Sequence, residues 1–313
     1  MARDRNQRDE LSSVNYTTST RFYTTKDKVF LGIVNTLLAM FGLIVFYPLI
    51  YVVSMSFSSI SAVMEGRVWL WPVSPTLVGY EAVFKNKFII SGYANSLLYM
   101  VGATLINVFM TMICAYPLAR KRLPHRGAIT FFFTFTMLFS GGMIPNYILL
   151  RDLRMLNTIW AMIIPGAISV YSMIITRTFI ATSIPEELLE ATQIDGCNDF
   201  MYFILFVLPL SKAVIAVIAM QYAVGHWNAY FNAFIYLTKQ ELYPLQVFLR
   251  EILILSQIAS SDIVDPETAV AMQGLADLLK YSLIVISSAP ILCIYPFFQQ
   301  YFVKGIMIGS IKG

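Results

Sequence analysis

Four carboxylates, Glu186, Glu187, Glu190 and Asp195, crowd residues 186–195 of an otherwise apolar chain. The surrounding window reads SIPEELLEATQIDGCNDFMYFILFVLP over 183–209 and lies between two strongly hydrophobic runs. Carboxylates placed this way support two kinds of chemistry. Buried at membrane depth they bind ions or relay protons; at the membrane surface they pair with Arg or Lys of a partner protein. A solvated loop with a charged face is the plainer alternative. The local signals describe a surface element. Ser183 followed three residues later by Glu186 is a capping-box pattern, and Pro185 sits in the first turn. The spacing predicts a helix with Ile184, Leu188, Ala191 and Thr192 on one face and Glu186, Glu190 and Gln193 on another. Gly196 ends it, because glycine readily takes the left-handed conformation of a helix C-terminus. A second short helix starts near Asn198 or Asp199 and runs into the next apolar segment, where Pro209 permits a bend.

The elements that must position this window are set by composition. Of 313 residues, 58% are hydrophobic and 13% charged, against about 25% charged in a soluble domain. Several apolar runs reach the length of about 20 residues that crosses a bilayer as a helix. The expected fold is all-α, a polytopic membrane protein with six transmembrane helices near 29–55, 91–119, 128–149, 157–180, 203–236 and 278–298. The fifth run exceeds what a bilayer needs, so it must tilt, break or project. One membrane domain, 29–298, carries the acidic loop at 183–209, with an N-terminal tail at 1–28 and a C-terminal tail at 299–313. The first charges are not followed by the apolar core of a signal peptide.

Orientation follows from the cations. With six spans both termini share a side. That side holds the tail, the 120–126 loop (Arg120, Lys121, Arg122, Arg126), Arg177, Lys212, Lys304 and Lys312, which together make up most of the 22 Lys and Arg. The positive-inside rule puts that side, and the acidic loop with it, in the cytoplasm. The net charge of +4 is thereby explained by location rather than by nucleic acid. On the outer side, 243–255 (YPLQVFLREILIL) reads as a short amphipathic helix. Cys114, Cys197 and Cys293 are scattered without CxxC spacing, so no disulfide or metal framework is implied. There is no phosphate-binding GxxxxGK[ST] motif and no catalytic constellation. His226 lacks further metal ligands nearby in the sequence. His125, in the basic loop, is a solvated residue or an anionic-lipid contact.

Residues 185–209, with P-E-E-L-x-E-A-T-x-x-D-G-C and a later L-P, resemble the EAA loop of binding-protein-dependent ABC importer permeases. Glu190, Ala191, Asp195, Gly196 and Pro209 match position by position; Thr192 and Cys197 replace alanines with other small residues. SGGMIPNYILLRDLRMLNT (140–158), YAVGHWNAYFNAFIYL (222–237) and YPFFQQYFVKGIMIGSIKG (295–313) resemble the carbohydrate-uptake branch. They look most like relatives of the maltose-type second permease, in the subgroup for complex oligosaccharides and polysaccharide fragments. The likeness covers about residues 28 to 313.

That resemblance implies a type I importer permease fold in a bacterial cell membrane and a chain that is not itself an enzyme. It implies four partners: a second homologous permease forming a heterodimer, a dimer of cytoplasmic ATPase subunits, an extracytoplasmic solute-binding protein, and a sugar or oligosaccharide substrate. ATP and Mg would be bound by the partner ATPase, with no cofactor on this chain. It makes Glu187, Glu190, Ala191, Asp195 and Gly196 the ATPase-coupling residues, and Gly305, Gly309 and Lys312 a C-terminal ATPase contact. Candidates for the substrate path or gate are Asn107, Asn146, Tyr147, Tyr171, Gln221, Tyr222, Trp227 and Asn228. Polar groups at membrane depth must face protein or a watery path; aromatic faces and amides suit sugar CH surfaces and hydroxyls. Hydrogen bonds between helices are the competing explanation for the same residues. The rival functions are an ABC permease for another solute and an ion-coupled secondary transporter, which would need carboxylates within the spans.

Overall fold

The structure, a computed structural model, describes residues 24–258 and 266–310, without the side chains of 255–258, 266–273, 300 and 302–310. Two compact units divide the chain, one up to Tyr51 and one from Val52 onward. In the first, α1 (Thr25–Ser56) opens on a reciprocal cap. The Thr24 backbone N–H and hydroxyl donate to Asp27 Oδ2 at 2.9 and 2.7 Å, and Asp27 N–H donates back to the Thr24 hydroxyl at 3.3 Å.

In the second unit, α2 (Ile60–Met64) and α3 (Val78–Lys85) lead into α4 (Lys87–Ala119), which is the central element. One face of α4 is lined by Gly92, Ser96, Ala103, Asn107, Thr111 and Ala115, all buried. Small residues at three- and four-residue spacing let neighbouring backbones approach, which is how helices associate where lipid removes the hydrophobic drive. Two helices follow, α5 (Arg126–Leu138) and α6 (Met143–Asp152), bent by 108°. Gly142, at φ +85°, makes that corner, and its N–H is held by the Ser140 hydroxyl at 3.0 Å. After α7 (Trp160–Ile163), α8 (Val170–Ser183) packs along α4. Next come α9 (Glu186–Ile194) and α10 (Asp199–Leu210), the latter widened into a π-helical turn at Phe203–Val207. A 78° bend at Ser211 leads to α11 (Lys212–Trp227), followed by α12 (Tyr230–Tyr236), α13 (Leu245–Ile258) and α14 (Pro266–Ser310).

The core forms along α4. At one end Met112, Ala115, Leu118 and Ala119 pack with Met173 and Ile180 of α8, Leu189 of α9 and Tyr202 and Val207 of α10. At the other, Ile89 and Met100 pack with Trp227, Leu245 and Leu283. No strand occurs among the described residues.

Several expected spans are not single helices. Among the described residues, three helices are long and apolar enough to cross a membrane, and up to five spans result if each bent pair counts as one. The run expected at 128–149 is the α5–α6 pair, turned by its glycine. The run at 157–180 is cut by Gly166 at φ +77°, leaving α7 and α8. The long fifth run breaks at Ser211 and again at Asn228, which caps α11. Six crossings remain compatible with these elements. The amphipathic helix expected near 243–255 is α13, with Leu245, Val247 and Phe248 buried and Arg250 and Glu251 exposed.

Candidate functional site

The acidic window folds as two helices around a glycine turn. Gly196 has φ +81°, and its N–H donates to Gln193 O at 3.1 Å, while Cys197 N–H donates to Thr192 O at 2.9 Å. Asn198 caps the second helix, its Oδ1 accepting from Met201 N–H at 2.8 Å. The start differs from the expected capping box. Ser183 is the last residue of α8, Ile184 N–H still bonds Ile180 O, and the chain turns through Ile184 and Pro185. Because Ser183 is spent on the preceding helix, α9 has no side-chain cap and Glu186 turns away to Lys121.

The faces of α9 also differ from the expected assignment at one position. Leu189 and Thr192 are buried and Leu188 and Ile184 half-buried, but Ala191 is exposed. Ala191 shares the outward face with Glu187, Glu190, Ile194 and Asp195. Thr192 settles its hydroxyl on Leu189 O at 2.9 Å, so it seats against the core where an alanine would leave the carbonyl without that bond. The outward face is therefore a small patch with carboxylates around an apolar centre, in which Ile194 is 87% exposed.

Sequence reasoning used the 120–126 cations only for topology, yet they grip this loop. Arg120 Nη2 pairs with Asp199 Oδ1 at 2.9 Å, Lys121 Nζ with Glu186 Oε2 at 2.8 Å, and Arg122 Nη2 with Glu190 Oε1 at 3.5 Å. The complementary signs of Arg120–Arg122 and Glu186–Asp199 were the available signal. Glu187 and Asp195 hold no ion pair among the described residues. The hydrogen bond from Lys121 holds the Glu186 carboxyl below its usual range, and the same bond raises the Lys121 ammonium above its own. Arg177 ties α8 to the end of α4, its Nε donating to Leu118 O at 2.9 Å.

The polar residues of the apolar helices fall into two groups. Asn107, Tyr222, Trp227 and half-buried His226 lie in the interior. Asn107 Nδ2 lies 2.9 Å from His226 Nε2, and the buried Asn107 Oδ1 has no hydrogen-bond partner among the described residues. The Tyr222 hydroxyl meets Thr111 Oγ1 at 2.7 Å and accepts from Ser169 N–H at 2.9 Å. Trp227 Nε1–H donates to Ser287 O at 2.9 Å, tying α11 to α14. Gln221 accepts from the Ser172 hydroxyl at 3.5 Å and is otherwise exposed, as are Asn146, Tyr147, Tyr171 and Asn228. Tyr147 stacks with Tyr236, and Asn228 Nδ2 donates to Val224 O at 2.9 Å. Gly305 and Gly309 lie within α14, whose side chains from 302 on lie outside the described residues, as does Lys312. Among the described residues no three His, Cys, Asp or Glu side chains gather to hold a metal ion.

No family model matches the chain. Individual relatives do. The chain is 37% identical over 288 residues, 92% of its own length and 100% of the relative's, to a polygalacturonan/rhamnogalacturonan transport system permease protein of Bacillus subtilis. It is 36% identical, over 97% of its length and 99% of the relative's, to the LplC protein of the same organism. A solved bacterial ABC transporter involved in the import of the acidic polysaccharide alginate contains a chain that superposes with a TM-score of 0.81 at 33% identity. That match covers 90% of this chain and 99% of the other.

Proposed function

The chain belongs to the membrane-embedded permease subunits of carbohydrate ABC importers, and on that premise we propose how it is assembled and driven. It forms half of the path for an oligosaccharide, paired with a second, homologous permease. An extracytoplasmic binding protein delivers the substrate, and a dimer of cytoplasmic ATPase subunits, holding ATP and Mg, supplies the drive. The observation that supports this reading is the outward face of α9. Glu187, Glu190, Ala191, Ile194 and Asp195 leave two unpaired carboxylates around an exposed apolar side chain, on a helix fixed from behind by Leu189 and Thr192. A cleft on the ATPase that offers Arg or Lys around an apolar floor would seat it. Closure of the ATPase dimer would then shift α9 and bias the permease between two states that make different contacts.

The relatives' names point to fragments of acidic polysaccharides as the substrate class. The chain crosses the membrane six times in this proposal, with both termini in the cytoplasm and the 302–313 tail, including Gly305, Gly309 and Lys312, reaching the ATPase. The buried polar groups Asn107, Tyr222 and Trp227, with Gln221 beside them, stand next to the path. Asn146, Tyr147, Tyr171 and Asn228 stand at its mouths. An ion-coupled mechanism is disfavoured because no Asp or Glu is buried among the described residues, and such a transporter places its carboxylates at membrane depth.

The test is reconstitution. The four-component complex in proteoliposomes should take up oligogalacturonate or oligoalginate only with ATP inside the ATPase-facing compartment. Replacing Glu190 and Asp195 together should lower uptake while leaving the isolated ATPase active. Uptake that persists with a hydrolysis-dead ATPase would sink the proposal.

A further inference from the structure

The three ion pairs between the basic loop and the acidic loop are unequal, and the inequality singles out Arg120. Arg122 and Glu190 are 3.5 Å apart with both side chains more than half exposed. Lys121 is 78% exposed in its pair with Glu186. Exposed pairs like these are screened and add little. The Arg120 side chain is only 21% exposed. Its guanidinium carbon lies 5.0 Å from the centre of the Tyr116 ring and 5.2 Å from that of Tyr202, while Nη2 reaches Asp199 at 2.9 Å. A planar cation held against two aromatic rings and one carboxylate is fixed in orientation as well as position.

The place of this contact gives it a role. Tyr116 lies in the last turn of α4 and Arg120 is the residue that caps it. Tyr202 and Asp199 lie in α10, the helix on the far side of the Gly196 turn from the outward face of α9. The Tyr116 hydroxyl also reaches Asp199 O at 3.4 Å, and the Tyr116 ring packs on Phe203 at 5.1 Å between centres. Helix α4 in turn packs on α8, α11 and α13. A push on α9 can swing it about the glycine turn, or it can travel into α4, through the packing of Leu189 and through α10.

We propose that Arg120 is a positioning residue for coupling: it locks α10 to the end of α4, so that displacement of the acidic loop moves α4 instead of being absorbed at Gly196. The Lys121–Glu186 pair is a secondary tether that holds the start of α9 to the same loop. The inference rests on the importer reading, since it assigns a route for force that only an ATPase would apply.

The experiment uses the full complex in proteoliposomes and measures transport and ATP hydrolysis together. In Arg120→Gln, substrate moved per ATP hydrolysed should fall by about tenfold, a typical size for a coupling interaction, with hydrolysis and subunit composition unchanged. Asp199→Asn, at a side chain 71% exposed, should lower the same ratio without threatening the fold. The double variant should be no worse than Arg120→Gln, because the two residues act through one contact. Arg120→Lys, which keeps the charge between the rings, should recover part of the ratio. A wild-type ratio in Arg120→Gln overturns the inference, and so does additivity in the double variant. Loss of the ATPase subunits from the Arg120→Gln complex also overturns it, since that marks a folding or docking role. A wild-type complex that fails to transport at all strikes the importer reading first and takes this inference with it.

Discussion

Gly196 is the residue on which the geometry of the acidic loop turns. A Cβ built there meets nothing within 4 Å, so a substitution costs only what the backbone at φ +81° imposes. For a residue other than glycine that conformation costs roughly 1–2 kcal/mol. Gly196→Val should therefore lower the melting temperature of the purified complex and its uptake, while Gly196→Asn, which tolerates left-handed φ, should retain most of both. A melting temperature for Gly196→Val equal to that of wild type would mean that the turn relaxes without cost. The Lys121–Glu186 pair predicts a pH window. Glu186 is depressed on folding, so its contribution stands above its ordinary value and is lost as pH falls through the lower, folded one. Lys121 is raised, so its contribution stands below 10.5 and is lost as pH rises through the higher, folded value. The pair is intact between those limits. A carboxyl carbon titration of Glu186 should show its midpoint move upward in Lys121→Gln; no movement would mean that the pair does not form in solution. The glycine was readable from residue type alone. The capping box was not, because Ser183 can close α8 or open α9, and only the length of α8 decides between them.

At the scale of elements, α4 shows which parts of a membrane fold a sequence discloses. Apolar side chains occupy both its exposed and its buried face, so hydrophobic periodicity does not say which is inside. The small residues do: Gly92, Ser96, Ala103 and Ala115 mark the packed face. At Gly92 an added Cβ would lie 2.7 Å from Phe248 Cδ2 and 3.3 Å from the Leu245 backbone nitrogen. The ring can shift but the backbone of α13 cannot move far, since Leu245 N–H donates to the Ser96 hydroxyl at 2.9 Å and Asn95 Nδ2 donates to Glu241 O at 2.7 Å. Gly92→Ala should cost about 1–3 kcal/mol by overpacking, seen as a lower melting temperature in detergent. Tyr222→Phe is a milder probe, because interhelical hydrogen bonds in membranes average about 0.6 kcal/mol. It should cost more than that average, since one hydroxyl serves both Thr111 and the Ser169 N–H. Gly92→Ala that melts at the wild-type temperature would show that α13 slides freely on α4. The bend at Ser211 answers to the excess length of the fifth run and to Pro209 nearby, whereas the corner at Gly142 was harder to foresee. Glycine is permitted in a membrane helix, and only the structure shows Gly142 used as a corner while Gly102 stays within α4.

For the whole molecule the decisive question is which surface faces which compartment. The acidic loop and the basic loop meet in the structure through Arg120–Asp199 and Lys121–Glu186, so they occupy one side whatever the number of spans. In the proposed topology, which follows the positive-inside rule, that side is cytoplasmic. The connection bearing Trp69 and Trp71, separated from the basic loop by the 33 residues of α4, would in that topology lie outside, where indole rings favour the membrane–water interface. Two positions test this directly. Trp71 is 81% exposed and Ile194 is 87% exposed. With Cys114, Cys197 and Cys293 replaced by serine, Trp71→Cys in intact cells should react with a membrane-impermeant maleimide, and Ile194→Cys only after permeabilisation. The converse pattern would invert the topology and with it every assignment made to the acidic loop. A third measurement separates topology from docking. If the outward face of α9 seats in an ATPase cleft, Ile194→Cys should label several-fold more slowly in permeabilised cells that contain the ATPase subunits than in cells that lack them. Protection confined to Ile194 and absent at Trp71 identifies a contact made on that face. Equal rates with and without the ATPase would leave the loop cytoplasmic but remove it as the docking surface. The same exposed isoleucine thus reports first which way the chain is inserted and then what covers it.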